Sequence, residues 1–199
     1  WVAEGTYIPG IDRASTFQLK NGVELYGGFP RGGSTMDDRD PWRYTTILSG
    51  EIGNPDQETD NCWHVVTGSG TDSTAVLDGF RVTEGHASGE HEEAGGGMIN
   101  TAGSPTIRNA VFLRNYASKY GGAIANWSSS PTMENVAFYG NRADAWGGAV
   151  ENYHESRPDI SNALFVGNTA PAAAAVYTGD ASSLVLRNVT VVTNEAEGG

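Results

Sequence analysis

The chain has 199 residues, of which 27 are glycine, and carries a formal net charge of −12. Its 12 Lys and Arg residues are too few to neutralise a run of phosphates, which argues against nucleic acid and anionic membrane surfaces as partners. No apolar run reaches the length of a membrane helix, so no transmembrane segment is predicted.

The first half of the chain predicts short strands joined by long loops. The strand-like segments are Trp1 to Ile8, Phe17 to Phe29, Thr45 to Ile52 and Cys62 to Thr67. They are short and apolar, and glycine recurs near their ends. No amphipathic stretch of ten residues separates them, so the sequence predicts strands without helices.

An acidic insertion follows Gly85 and runs from His86 to Glu93. Two imidazoles and three carboxylates lie on this one loop, and Glu90, His91, Glu92 and Glu93 are the candidates for an acid, a base or Ca²⁺ ligands. The Ca²⁺ alternative uses the carboxylates of Glu90, Glu92 and Glu93. A solvated acidic loop explains the same residues, because no established metal-ligand spacing such as H-E-x-x-H is present.

From Ser104 onward the chain repeats itself at a period of 26 or 27 residues. The four copies open SPTIRNAVFLRN, SPTMENVAFYGN, RPDISNALFVGN and SLVLRNVTVVTN. Apolar and polar positions alternate within each copy, as strands with one buried face require. A period in this range without helical spacing is typical of a solenoid of stacked coils, here a parallel β-helix with about three short strands per coil.

Asparagine recurs in two columns of this repeat. Asn tolerates the left-handed backbone conformation, and stacked amides can hydrogen-bond along the rod as a ladder. A structural role at coil corners is therefore predicted, with a binding role as the alternative. The two columns are Asn109, Asn135, Asn162 and Asn188, and Asn115, Asn141, Asn168 and Asn194.

Aromatic residues also recur at the repeat period. Tyr120 and Trp146 are 26 positions apart, as are Trp127 and Tyr153, so each pair is expected to stack on adjacent coils. Stacked rings can flank the face of a sugar or form a protein interface, and they can equally seal the rod. These four residues are the predicted ligand-binding set.

A second charged cluster lies close to these rings in the sequence. It contains Glu151, His154, Glu155, Arg157 and Asp159 at a predicted coil corner. The cluster is suited to a sugar acid or an ion, and a solvent-facing turn explains it equally well.

The pairing of F-x-x-N with a downstream G-G-A-[IV] resembles the repeat of the chlamydial polymorphic membrane proteins. It occurs at Phe112 to Asn115 and Phe138 to Asn141, with Gly121 to Ile124 and Gly147 to Val150. The N-terminal part is similar to large bacterial surface or secreted proteins with a right-handed β-helix of the pectin-lyase-like type. The resemblance implies an exported rod, often adhesive, and it implies no single chemistry.

Together these patterns predict an all-β chain that winds as one single-stranded, right-handed parallel β-helix of about seven coils. Residues 1–199 form one rod, with irregular coils over 1–103 and regular coils over 104–199, and no terminal cap is visible, so a longer parent protein is expected. The right hand comes from the resemblance alone.

The function expected from these patterns is a non-catalytic segment of a bacterial cell-surface or secreted protein, in adhesion or as an extracellular scaffold. Its partners would be glycan or protein surfaces, with self-association of rods as a further option. No cofactor is expected other than a possible Ca²⁺. The alternative is a polysaccharide lyase or glycoside hydrolase of the pectin-lyase-like type.

Overall fold

A computed structural model describes residues 1–33 and 35–196, which form twenty β-strands and two 3₁₀ turns at Met36–Asp38 and Glu58–Asp60. The eight-residue strands over residues 106–113, 132–139 and 159–166 alternate more and less buried side chains, as the repeat predicts, whereas residues 185–192 are mostly exposed. In chain order they are β1 Gly5–Tyr7, β2 Phe17–Gln18, β3 Glu24–Tyr26, β4 Thr46–Ser49, β5 Val66–Thr67, β6 Val76–Asp78, β7 Phe80–Thr83, β8 His86–Ala87, β9 Met98–Thr101, β10 Thr106–Leu113, β11 Tyr116–Ala117, β12 Ile124–Trp127, β13 Thr132–Tyr139, β14 Arg142–Ala143, β15 Val150–Tyr153, β16 Asp159–Val166, β17 Thr169–Ala170, β18 Val176–Thr178, β19 Val185–Val192 and β20 Glu195–Ala196.

The strands assemble into three parallel sheets. The first sheet follows the order β1-β4-β7-β10-β13-β16-β19, and β10 also pairs with β6, which in turn pairs with β3. The second sheet is β2-β5-β9-β12-β15-β18, and the third is β8-β11-β14-β17-β20. The sheets stack as a parallel β-solenoid of about four turns, which confirms the all-β repeat fold.

The register of the first sheet follows the sequence repeat residue by residue. Arg108 pairs with Glu134 and Ala110 with Val136, whereas Asn109 between them is left out of the ladder. Asn109 has φ of 49°, a left-handed conformation that interrupts the strand, and its counterparts in the next three copies have φ between 52° and 54°. The corner predicted at this column is therefore a bend inside each eight-residue strand.

The interior is filled by the apolar columns of the repeat. Phe112, Phe138 and Phe165 are fully buried and stack with ring centroids 5.5 and 4.6 Å apart. Ile107, Met133 and Ile160 form a second buried column in the same sheet. The coils that contain β10, β13 and β16 thus bury the same side-chain types against their neighbours, which is how a solenoid obtains a continuous core. In the last coil the equivalent Leu186 and Val191 are 45% and 56% exposed.

Glycine pairs make the turn from the third sheet to the second. A Cβ atom on Gly122 would lie 2.3 Å from the carbonyl oxygen of Arg142 and 2.4 Å from that of Gly148. Only glycine allows the backbones of adjacent coils to approach this closely. Tyr120 lies just before this turn and β12 begins just after it. The turn therefore determines the positions of both at the surface.

Candidate functional site

A column of aromatic rings lies beside the outer face of the second sheet. Tyr120 and Trp146 occupy equivalent places before the glycine pairs and form a backbone bridge to each other. Their rings stack at 5.2 Å, and the ring of Tyr177 on β18 continues the column 5.0 Å beyond Trp146. The repeat spacing therefore brings the first predicted pair together, and Tyr177 is an addition that the period alone did not single out.

The second predicted pair, Trp127 and Tyr153, lies at the ends of β12 and β15, where the two residues are register partners. Trp127 and Tyr120 pack on a small buried cluster of Ala94, Ile99 and Ala125, which is separate from the main core. This cluster forms an apolar base under the rings on the outside of the solenoid.

Glu151 lies among these rings. Its position in β15 belongs to an outward-facing column in which Ala125 and Tyr177 are its register partners, Ile99 follows Ala125, and the polar residues Thr67 and Gln18 lie in the earliest coils. The residue is only 2% exposed, and its Oε2 accepts a hydrogen bond of 2.8 Å from Nε1 of Trp127. An acid between an alanine and a tyrosine at the repeat-equivalent positions of the adjacent coils is the sequence signal that could have marked this residue.

Burial determines the protonation of this carboxyl group. Desolvation raises the pKa of Glu151 to about 7, against the opposing effects of the Trp127 hydrogen bond and the nearby His154. The group therefore changes its charge close to neutral pH, and the surrounding rings keep water away from it.

Together these side chains line a pocket of about 280 Å³. Its walls are the rings of Tyr120, Trp127, Trp146 and Tyr153, with Glu151 and His154 as its polar groups. All four predicted ligand-binding residues thus meet in one concavity, joined by two members of the second charged cluster. A largely aromatic pocket with a few convergent polar groups has the character of a small-ligand site.

His154 forms the polar rim of this pocket. Its Nδ1 lies 2.5 Å from a carboxylate oxygen of Asp180, and its ring packs edge-on against Tyr153 at 4.4 Å. His154 itself adopts φ of 54°, so the backbone leaves β15 in a sharp turn. The other members of the charged cluster are elsewhere, with Asp159 paired to Arg187.

The acidic insertion does not join its four candidate residues into one site. Glu92 lies 2.7 Å from Nε2 of His64, and this hydrogen bond lowers the pKa of Glu92. Glu93 pairs with Lys119 at 2.8 Å, while Glu90 and His91 are almost fully exposed at the loop tip. The three carboxylates proposed for Ca²⁺ therefore have three different surroundings.

The described residues contain neither a cluster of metal ligands nor a membrane-spanning helix. Within residues 1–33 and 35–196, no group of three or more His, Cys, Asp or Glu side chains is arranged to hold a metal ion. Over the same residues no helix has the length and hydropathy needed to cross a membrane.

The asparagine columns form ladders along the rod. In the outer ladder, Nδ2 of Asn135 donates to Oδ1 of Asn109 at 3.2 Å, and the same bond repeats in the two following copies. In the inner ladder, Asn141 is fully buried, and its Nδ2 donates to Asn168 Oδ1 at 2.9 Å. In both predicted columns the asparagine side chains are therefore hydrogen-bonded to each other from coil to coil.

A third ladder was not predicted. Asn100 donates to Asn126 and Asn126 to Asn152, each at 2.9 Å, inside the second sheet. The sequence feature that could have predicted this ladder is the spacing of 26 residues between these three asparagines. Because the ladder lies directly behind Glu151 and Tyr153 in β15, it holds the wall of the aromatic pocket in register.

Comparison of the chain with protein-family models, with curated proteins and with solved structures found no match.

Proposed function

We propose that this chain is a non-catalytic, glycan-binding segment of an extracellular or cell-surface bacterial solenoid, which serves in adhesion or as a scaffold. The observation that carries the proposal is the pocket in which the rings of Tyr120, Trp127, Trp146 and Tyr153 surround one carboxyl group. Aromatic side chains provide apolar surface for a sugar ring, and the polar groups of Glu151 and His154 suit its hydroxyls.

The stacked Tyr120, Trp146 and Tyr177 rings favour an extended ligand. Their centroids follow one another at 5.2 and 5.0 Å along the rod, so a glycan chain would meet a ring on each coil that it crosses. The ladder of Asn100, Asn126 and Asn152 behind the rings gives a preorganised surface, which lowers the ordering cost of binding.

The architecture that we propose for the parent protein is a right-handed β-helix of the pectin-lyase-like kind with the polymorphic membrane protein repeat. Seven strands follow one another along the first sheet, which supports about seven coils. Parallel strands joined by crossovers are almost always right-handed, which supports the hand.

A polysaccharide-active enzyme is the second candidate, and one observation favours it. A buried carboxyl group with a pKa of about 7, such as Glu151, suits a general acid. A glycosidase of the common type needs two carboxyl groups flanking the bond, and Glu151 is the single carboxylic acid that lines this pocket among the described residues. Binding without turnover is therefore the function that the geometry supports best.

The proposal is tested by screening the chain against a panel of neutral, acidic and amino-sugar polysaccharides for both binding and depolymerisation. Trp146→Ala should weaken binding at least tenfold, because it removes the middle ring of the column. Trp42→Ala is the matched control, since Trp42 is 62% exposed on a different surface. Binding that is unaffected by Trp146→Ala, or absent for every glycan, would overturn the proposal. Depolymerisation that is lost in Glu151→Gln would establish the enzyme instead.

A further inference from the structure

The pocket holds an acid that has no Lys or Arg partner among the described residues. One carboxylate oxygen of Glu151 accepts the Trp127 N–H, and its Oε1 has no hydrogen-bond partner among the described residues. No Lys or Arg lines the pocket, and the imidazole of His154 is already paired with Asp180. Glu151 is thus a nearly buried acceptor whose free oxygen is available only to something that enters the pocket.

An ionised carboxylate in such surroundings is stabilised by a cation more than by a neutral group. Burial makes the uncompensated charge costly, and a positively charged ligand would supply the missing partner. The walls add to this preference, because the faces of Trp and Tyr rings attract cations. The net charge of −12 attracts cations toward the whole surface as well.

We propose that the ligand of this pocket is an amino sugar with a free ammonium group, carried on a glycan chain. This inference rests on the proposed glycan-binding function and names its ligand class. The ammonium group donates to Oε1 of Glu151, while the pyranose ring packs against the edges of the mutually stacked Tyr120 and Trp146 rings. A volume of about 280 Å³ suits one sugar ring, and the column toward Tyr177 accommodates the next one.

The competing ligand classes are disfavoured by the same geometry. A uronic acid would place a second carboxylate against Glu151 without a Lys or Arg in the pocket lining to offset it, and the imidazole of His154 is already paired with Asp180. An N-acetylated sugar keeps an N–H donor but loses the positive charge, so it keeps the packing and loses the ion pair.

The test compares a tetramer of β-1,4-linked glucosamine with its N-acetylated counterpart by isothermal titration calorimetry at pH 7 and physiological salt. We expect the free amine to bind at least tenfold more tightly to the native chain. Glu151→Gln should reduce this preference to less than twofold, because the Gln carbonyl still accepts the Trp127 N–H but carries no charge. Tetralysine serves as the control for unspecific attraction to an acidic protein and should bind at least tenfold more weakly than the amino sugar.

The outcomes separate the two proposals. Equal binding of the two tetramers, tighter binding of the acetylated one, or equal binding of tetralysine would refute the ammonium inference. If other glycans then bind in a manner sensitive to Trp146→Ala, the glycan-binding function stands without it. Because the comparison of tetramers uses the native chain, it decides the inference even if Glu151→Gln does not fold.

Discussion

Glu151 carries a carboxyl group in surroundings that disfavour its charge. Its neighbours in the same outward column are Ile99, Ala125 and Tyr177, any of which fits an apolar environment better than a carboxyl group. The Trp127 hydrogen bond satisfies only one of its oxygens. Natural proteins accept such local conflicts mainly at functional sites.

This conflict predicts a specific pH dependence of stability. The pKa of Glu151 is raised from 4.5 to about 7 in the fold, so the folded chain binds a proton more tightly than the unfolded chain. The stabilisation of the fold by proton binding at Glu151 is complete below pH 4.5 and is lost as the pH rises through 7. The loss should reach ~3 kcal/mol by pH 8.

The measurement is urea denaturation of the native chain and Glu151→Gln across this pH range. The variant should be no more stable than the native chain at pH 4 and more stable at pH 8, because Gln has no charge to bury. Two stability curves that run parallel from pH 4 to pH 8 would contradict the raised pKa.

The two predicted asparagine ladders should differ in energetic weight. Asn141 is fully buried, donates to Phe112 O and Asn168 Oδ1, and accepts from Asn115. Asn141→Ala leaves several buried groups unpaired and should cost about 3 kcal/mol of unfolding free energy. Asn135 lies in the exposed outer ladder with φ of 54°, so Asn135→Gly keeps the bend and should cost under about 1 kcal/mol. Equal losses for the two variants in thermal unfolding would show that burial does not set the strength of these ladders.

At the scale of the element, the glycine turns determine how closely adjacent coils pack. Gly122→Ala would push a methyl group into two backbone carbonyls that cannot move independently, with a predicted cost of about 3 kcal/mol. Gly140 is the control: it has φ of 57° but open space around its Cβ position, so Gly140→Ala pays only backbone strain of ~1 kcal/mol. Chemical denaturation of both variants shows whether the close approach of adjacent backbones or the left-handed conformation contributes more to the free energy of unfolding. A larger loss of unfolding free energy in Gly140→Ala than in Gly122→Ala would refute this account.

The regular strands could be predicted from the sequence because each coil repeats one alternating pattern against an identical neighbour. β10, β13 and β16 begin and end at equivalent positions for this reason. The early strands have no such copies to align. The sequence pattern predicts one strand-like segment from Phe17 to Phe29. In the structure this segment contains two strands, β2 and β3, which belong to different sheets.

The rings of the candidate site were predictable, and its polar groups Glu151 and His154 belong to a predicted charged cluster, but the hydrogen-bond partners of its acids were not predictable. Tyr120 and Trp146 lie one repeat apart, so spacing alone placed them together. The partners of the acids depend on side-chain direction across coils: Glu92 reaches His64, 28 positions away, and Trp127 reaches Glu151, 24 positions away. Neither distance matches the period, and no local pattern in the sequence encodes such a contact.

At the scale of the whole molecule, the rod is a stack in which each coil contacts its immediate neighbours. Phe112, Phe138 and Phe165 form one continuous column, so a defect in the middle ring affects the coils on both sides. In a solenoid, the free energy of unfolding is approximately the sum of a contribution from each coil and a contribution from each interface between adjacent coils. A destabilising substitution in one coil should therefore promote local unfolding of that coil and its neighbours before the remaining coils unfold.

Phe138→Ala tests this behaviour, since it removes a fully buried ring from the column and should cost about 3 to 5 kcal/mol. Tyr139→Ala, at the adjacent position that is 38% exposed, is the control and should cost under about 1 kcal/mol. Hydrogen exchange measured by mass spectrometry should show the largest loss of protection in β10, β13 and β16, with β1 and β4 nearly unchanged, because those strands lie beyond the nearest neighbours. An equal loss of protection in all of these strands would mean that the rod unfolds as one cooperative unit, and the nearest-neighbour description would fail.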